Sequence, residues 1–191
     1  MILYFSIQGQ LSVFILAFLG YIQFVSEVGA LNRLAQLLTI LMLLNGFIIQ
    51  PMFARITERG HFILMTSKIA FIFLIFSSVC MASVYLIPEV WLALLGEKYN
   101  NLHTELPLAV LTALLNLLGG TIYTLVIARR STRGQWMYVA IGLFSQILFL
   151  LIVGIDTTFD AMLLGLLSVI AYALTQAYLL MRVIILWRGN D

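Results

Sequence analysis

Uninterrupted apolar runs of about twenty residues recur along this chain, and nothing else in it constrains the fold as strongly. A helix needs about 20 residues to cross a hydrocarbon layer about 30 Å thick. Windows of that length fall near residues 2–24, 31–53, 62–87, 106–128, 135–155 and 160–187. The runs do not alternate in twos, as the strands of a membrane barrel would. Backbone N–H and C=O groups in hydrocarbon must be paired within protein, so with a barrel set aside the expectation is a helical bundle. Composition closes the soluble route: 63% of the 191 residues are hydrophobic and 9% charged, against roughly 45–50% and about 25% in ordinary soluble domains. Ten Lys and Arg with eight Asp and Glu cannot cover a core of this size with polar groups. The reading is an all-α integral membrane bundle of about six spans, a single unit over 1–191.

A net charge of +2 with scattered basic residues gives no basic tract for nucleic acid. Cys80 is the single cysteine, so no intrachain disulfide can form, and in its apolar run it reads as a small packed hydrophobe. Met1 runs into Ile2-Leu3-Tyr4-Phe5 without a basic residue before it or a small-residue cleavage site after it, so the first span is expected to be retained. The stretch 88–105 carries its own short apolar run, Trp91 to Gly96, too short to span. It is expected as an interfacial half-helix with Trp91 and Tyr99 at headgroup depth.

Orientation follows from the basic residues. Arg55, Arg59, Lys68, Arg129, Arg130, Arg133, Arg182 and Arg188 fall on one side of a six-span path, and only Arg33 and Lys98 fall on the other. The positive-inside rule puts the first group in the cytoplasm, and an even number of spans puts both termini there.

Small or polar residues recur at alternating spacings of three and four, which keeps them on one helical face. The first span has Ser6, Gln10, Val13, Ala17 and Gly20; the second has Asn32, Gln36, Thr39, Leu43, Gly46 and Gln50. The fourth offers Thr112, Asn116, Gly119 and Tyr123, and the sixth Gly165, Ser168, Tyr172, Thr175, Leu179 and Arg182. These faces are expected to look away from lipid. Two readings account for them: close helix packing, in which interhelical amides contribute about 0.6 kcal/mol on average, or a polar cavity serving a substrate. The sixth span reads as packing. The first two, where Gln8, Gln10, Arg33, Gln36, Asn45 and Gln50 crowd together, fit either reading. Lys68 is expected to snorkel. His61 and His103 fall in connections on opposite sides and Asp156 and Asp160 flank a turn, so no clustered acid, base or metal ligands suggest an enzyme. No metal or other cofactor is expected.

Several stretches resemble consecutive parts of one family. They are Gln8-Gly9-Gln10-Leu11-Ser12, Glu27-Val28-Gly29-Ala30-Leu31-Asn32-Arg33-Leu34-Ala35-Gln36, Pro51-Met52-Phe53-Ala54-Arg55 and Leu94-Leu95-Gly96-Glu97-Lys98-Tyr99, followed by the Gly119-Gly120 span ending in Arg129-Arg130. The resemblance is to bacterial polysaccharide and O-antigen flippases of the multidrug/oligosaccharidyl-lipid/polysaccharide exporter superfamily. It implies a MATE-like transporter of twelve to fourteen helices in the inner membrane, in which a lipid-linked oligosaccharide crosses between two six-helix bundles. This chain resembles one such half, so a second half, from itself or a separate chain, is implied as partner beside the lipid bilayer and the sugar substrate. Its abrupt apolar start reads as a fragment. Under that reading Arg33 would attract the pyrophosphate, and Gln8, Gln10, Gln36 and Asn45 would bond sugar hydroxyls. The alternatives are a non-transporting membrane subunit or degenerate remnant, and, further off, a multidrug exporter or a membrane enzyme.

Overall fold

The computed structural model describes residues 22–129, 134–155 and 157–187, preceded by Phe14, Ala17, Phe18 and Gly20. It is all-α. Helix α1 (Ile22–Leu44) runs through a π-helical turn (Asn45–Ile49) into α2 (Gln50–Ala54). Then come α3 (Arg59–Leu86), the short α4 (Pro88–Ala93), a 3-10 turn (Glu97–Tyr99), α5 (Leu106–Ala128), α6 (Met137–Ile152) and α7 (Thr158–Ile185). Four segments are long and apolar enough to cross a membrane: Phe24–Ala54, Arg59–Leu86, Leu106–Ala128 and Thr158–Ile185. By helix length and composition the chain is a multi-pass membrane protein.

Most of the span expected at 2–24 lies outside the described residues. The span expected at 31–53 begins earlier, because the helix already runs from Ile22 through Ser26 and Glu27, where the apolar windows predict a connection. Glu27 is tolerated there because Thr158 Oγ1 at the start of α7 donates to its Oε2. The span drawn at 106–128 coincides with α5. The one drawn at 135–155 is helical only over Met137–Ile152, 16 residues, or about 24 Å. Gly134 and Gly154 bracket it at φ 95° and 76°, a backbone conformation that favours glycine and ends helical geometry. Short as it is, α6 must traverse the bundle, since it joins the end of α5 to the start of α7 at the opposite level.

That opposition is visible in two layers of packing. At one level Val28, Leu31 and Leu34 of α1, Val84 of α3, Leu92 of α4, Leu106 of α5, Ile155 and Met162 form one buried cluster. Trp91 and Tyr99 pack against it half-buried, and Trp91 Nε1 donates to Ser83 Oγ at 3.2 Å. At the other level Phe53, Ile56, Phe62 and Leu125 cluster with Trp187. There Phe62 meets Phe53 edge-on at 5.2 Å and Trp187 at 5.1 Å. Arg129 closes this end: its Nη1 donates to the Ile56 carbonyl at 2.9 Å, and its guanidinium lies 3.9 Å from the centre of the Trp187 ring. Burial lowers the pKa of this guanidinium from its ordinary value. The second end therefore gathers Arg55, Arg59, Arg129 and Arg182 beside the acid Glu58, and the first holds Glu27, Glu89, Glu105 and Asp160 beside Lys98. Helix α7 starts at the acidic end with a capping box, in which the Thr157 and Asp160 side chains each accept from the other's backbone N–H.

Residues of the middle of the bundle settle how α5, α6 and α7 meet. Gly119 of α5 lies against Tyr172 of α7 so closely that a Cβ there would fall 2.6 Å from two ring carbons. Tyr138 of α6 meets Tyr172 edge-on at 5.3 Å. With no hydrophobic driving force between helices in lipid, close packing over small residues of this kind, together with interhelical hydrogen bonds, holds helices together. The sequence stripe of α7 is accordingly buried at Ser168, Tyr172, Thr175 and Leu179.

Candidate functional site

Polar groups at membrane depth fall into two sets, one closed inside the bundle and one open on the surface of α1. The closed set starts at the π-helical turn. Pro51 lacks an N–H, and its ring crowds the carbonyl four residues back, which is that of Phe47. The chain widens through Asn45–Ile49, and the Gln50 N–H donates five residues back to the Asn45 carbonyl. Such single π turns are frequent at functional sites. This one buries Asn45, whose Nδ2 donates to Thr121 Oγ1 of α5 at 2.9 Å, while Thr121 donates to its own helix at the Leu117 carbonyl at 2.8 Å.

A second closed element joins Gln135, just before α6, to Gln176 of α7. Each amide donates to the other, at 3.2 Å and 2.8 Å, and both side chains are at most 1% exposed. Gln146 of α6 is also buried, with its Oε1 lacking a hydrogen-bond partner among the described residues. None of these three glutamines was singled out from sequence. Lone amides inside apolar runs are the available signal, but the pairing joins residues 41 apart, which no local spacing reveals.

The open set is the seam on α1. Arg33 and Gln36 are exposed, one turn apart; Asn32 and Gln50 are half-buried and Gly46 is exposed. Arg33 stands about 9 Å along the helix from Glu27, within a long side chain's reach of the acidic end. At the basic end the seam opens into a cleft of about 520 Å³ lined by Gly46, Gln50, Pro51, Ala54 and Ala128 among others. A second cleft of about 310 Å³ lies beyond α2, lined by Met52, Arg55, Thr57, Glu58, His61 and Met65 around Ile56.

The structure places the sequence candidates as follows. Arg33 and Gln36 share the open seam. Asn45 does not join them: it lies about 18 Å from Arg33 along the helix and is turned inward onto Thr121. Gln8 and Gln10 lie outside the described residues. Relative to the other described helices, the α1 stripe thus faces outward at Gln36 and Gly46, whereas the α7 stripe faces in. Lys68 is exposed on α3, and His61 and His103 are exposed at opposite ends. Among the described residues no three His, Cys, Asp or Glu side chains are grouped so as to hold a metal ion. Compared with known protein families, curated proteins and solved structures, the chain matches none.

Proposed function

We propose that this chain is one six-helix half, or a fragment, of a flippase that moves lipid-linked oligosaccharide or polysaccharide precursors across a bacterial inner membrane. The family resemblance in its sequence suggests the reading, and one structural observation carries it: a cation and an amide, Arg33 and Gln36, stand exposed on the outside of a segment apolar enough to cross a membrane. A cation at the centre of a span costs roughly 2.5–3.5 kcal/mol on insertion scales and less near an end. A seam of this kind is better matched to one wall of a shared polar path than to lipid. A second six-helix bundle would supply the other wall, with Arg33 meeting phosphate and Gln36 and Gln50 meeting sugar hydroxyls. Lipid tails would stay in the bilayer.

The test is export of the lipid-linked precursor by the complete transporter carrying Arg33→Ala. Reduced export with normal membrane insertion is expected; unchanged export at equal protein level makes Arg33 an interfacial anchor. The same open seam suits a second reading, a non-transporting subunit that docks there. That reading predicts partner capture without any loss of export in the variant. Orientation is tested by reporters, which should read cytoplasm near Arg130 and after Arg188 and exterior near Lys98.

A further inference from the structure

The cleft beyond α2 is separate from the α1 seam and is not used by the transport reading. It lies at the basic end of the helices, where a membrane-spanning chain meets headgroups, and its lining is mixed in a specific way. Arg55 carries one positive charge and Glu58 one negative, Thr57 adds a hydroxyl and His61 an imidazole, while Met52, Met65 and the buried Ile56 make an apolar wall. Arg55 and Glu58 cancel in charge. An anionic headgroup would meet the Glu58 carboxylate as well as the Arg55 guanidinium, and like charges at close range cost what the opposite pair gains. A ligand carrying both signs meets both residues favourably.

We propose that this cleft binds a phospholipid whose headgroup carries a phosphate and a primary ammonium, as phosphatidylethanolamine does. The guanidinium of Arg55 presents a planar fork of donors suited to phosphate oxygens. The Glu58 carboxylate accepts from the ammonium, which has three N–H donors. Thr57 and His61 supply further hydrogen bonds to the phosphate ester. The methionines offer an adaptable surface for the first methylenes of an acyl chain. Size agrees: about 310 Å³ holds about ten water-sized groups at roughly 30 Å³ each, and phosphoethanolamine has about eight heavy atoms. A trimethylated choline headgroup keeps the charges but has no N–H to give Glu58, so phosphatidylcholine is the sharpest control.

The full chain, purified in mild detergent and mixed with equal amounts of phosphatidylethanolamine, phosphatidylcholine and phosphatidylglycerol, can be read by native mass spectrometry for retained lipid. Phosphatidylethanolamine should be retained about tenfold over either of the others, the ratio expected for one charge-assisted hydrogen bond. Glu58→Gln should abolish that preference and bring phosphatidylglycerol level with or above it; Arg55→Gln should weaken retention of phosphatidylethanolamine and phosphatidylglycerol alike. Free phosphoethanolamine should compete only weakly, because the apolar wall then goes unused; full competition at equal concentration would overturn the lipid as its source. Both side chains are exposed, so neither change should alter helix content by circular dichroism. Equal retention of the three lipids by the unaltered chain, or a preference left intact in Glu58→Gln, overturns the proposal. Neither outcome bears on export, which the Arg33 variant reads separately.

Discussion

Helices α5 and α7 bury 44% and 39% of their most apolar eighteen-residue stretches, whereas the α1–α2 segment and α3 bury only 12% and 11%. All four are apolar enough to cross a membrane, so apolarity does not decide which helices pack. In lipid it cannot, because a leucine gains nothing from leaving hydrocarbon for a protein interior that is equally apolar. What separates the two regions is shape and hydrogen bonding. The α5–α7 contact has a glycine under a tyrosine ring and reciprocal amides nearby. Helix α3 presents large side chains such as Phe71, Ile72, Leu74 and Val79 outward.

The largest effect is expected where the tight region is tightest. Gly119→Leu would drive side-chain atoms into Tyr172, already 2.6 Å from the position of an added Cβ. Overpacking of that kind costs up to about 3 kcal/mol. Gly120, next along the chain, faces Met42, whose Cε would lie 3.4 Å from a new Cβ, and a methionine end can move. Unfolding in detergent titrated with dodecyl sulfate should therefore separate Gly119→Ala from Gly120→Ala, with the former much less stable. Equal losses would mean that α5 and α7 are not held by this approach.

Next comes the amide pair. Gln176→Leu strands the buried Gln135 amide and should cost about 1–3 kcal/mol, while the double change of Gln135 and Gln176 to Leu should recover most of it, because the desolvation penalty disappears with the second amide. Four unfolding curves complete the cycle; additive losses would show that the pair is not coupled.

The edges of α5 are legible in the sequence because Glu105-Leu106-Pro107 and Ala128-Arg129 mark both ends with residues that start a helix or leave hydrocarbon. The start of α1 is not, because Ser26 and Glu27 look like a connection until Thr158, 131 residues away, bonds to the carboxylate. The stripes are legible as faces, but their direction is not. A three-four spacing says that Gln36 and Gly46 share a side of α1, and only the packing of α1 on α5 and α7 says which way that side looks. Asn45 shows the limit for the candidate site: helical facing groups it with Arg33 and Gln36, and the widened turn before Pro51 directs it onto Thr121 instead.

A smaller effect belongs to that bond, which ties the loosely packed segment to the tight one. Asn45→Leu removes the hydrogen bond to Thr121 and puts an apolar side chain of similar shape in place of the amide. Interhelical hydrogen bonds in membranes average about 0.6 kcal/mol and reach about 1.7 kcal/mol. A loss within that range is expected in the same titration, and Thr121→Val, which strands the buried Asn45 amide, should cost somewhat more. A loss as large as that of Gly119→Leu would mean that the α1–α5 contact is as demanding as α5–α7, and the contrast between the regions would fail.

The smallest stability change is expected at Arg33, and its smallness is informative. The side chain is exposed on α1, so a fold that does not depend on it should lose no more than about 0.5 kcal/mol in Arg33→Gln, the usual range for surface changes away from special features. A packing role predicts a clear loss of stability, and lipid anchoring alone predicts unchanged export. Only a role in meeting a charged substrate predicts a stable protein with impaired export. Measuring both on the same variant therefore distinguishes a seam shaped for a cargo from one that simply tolerates a cation near the end of a helix.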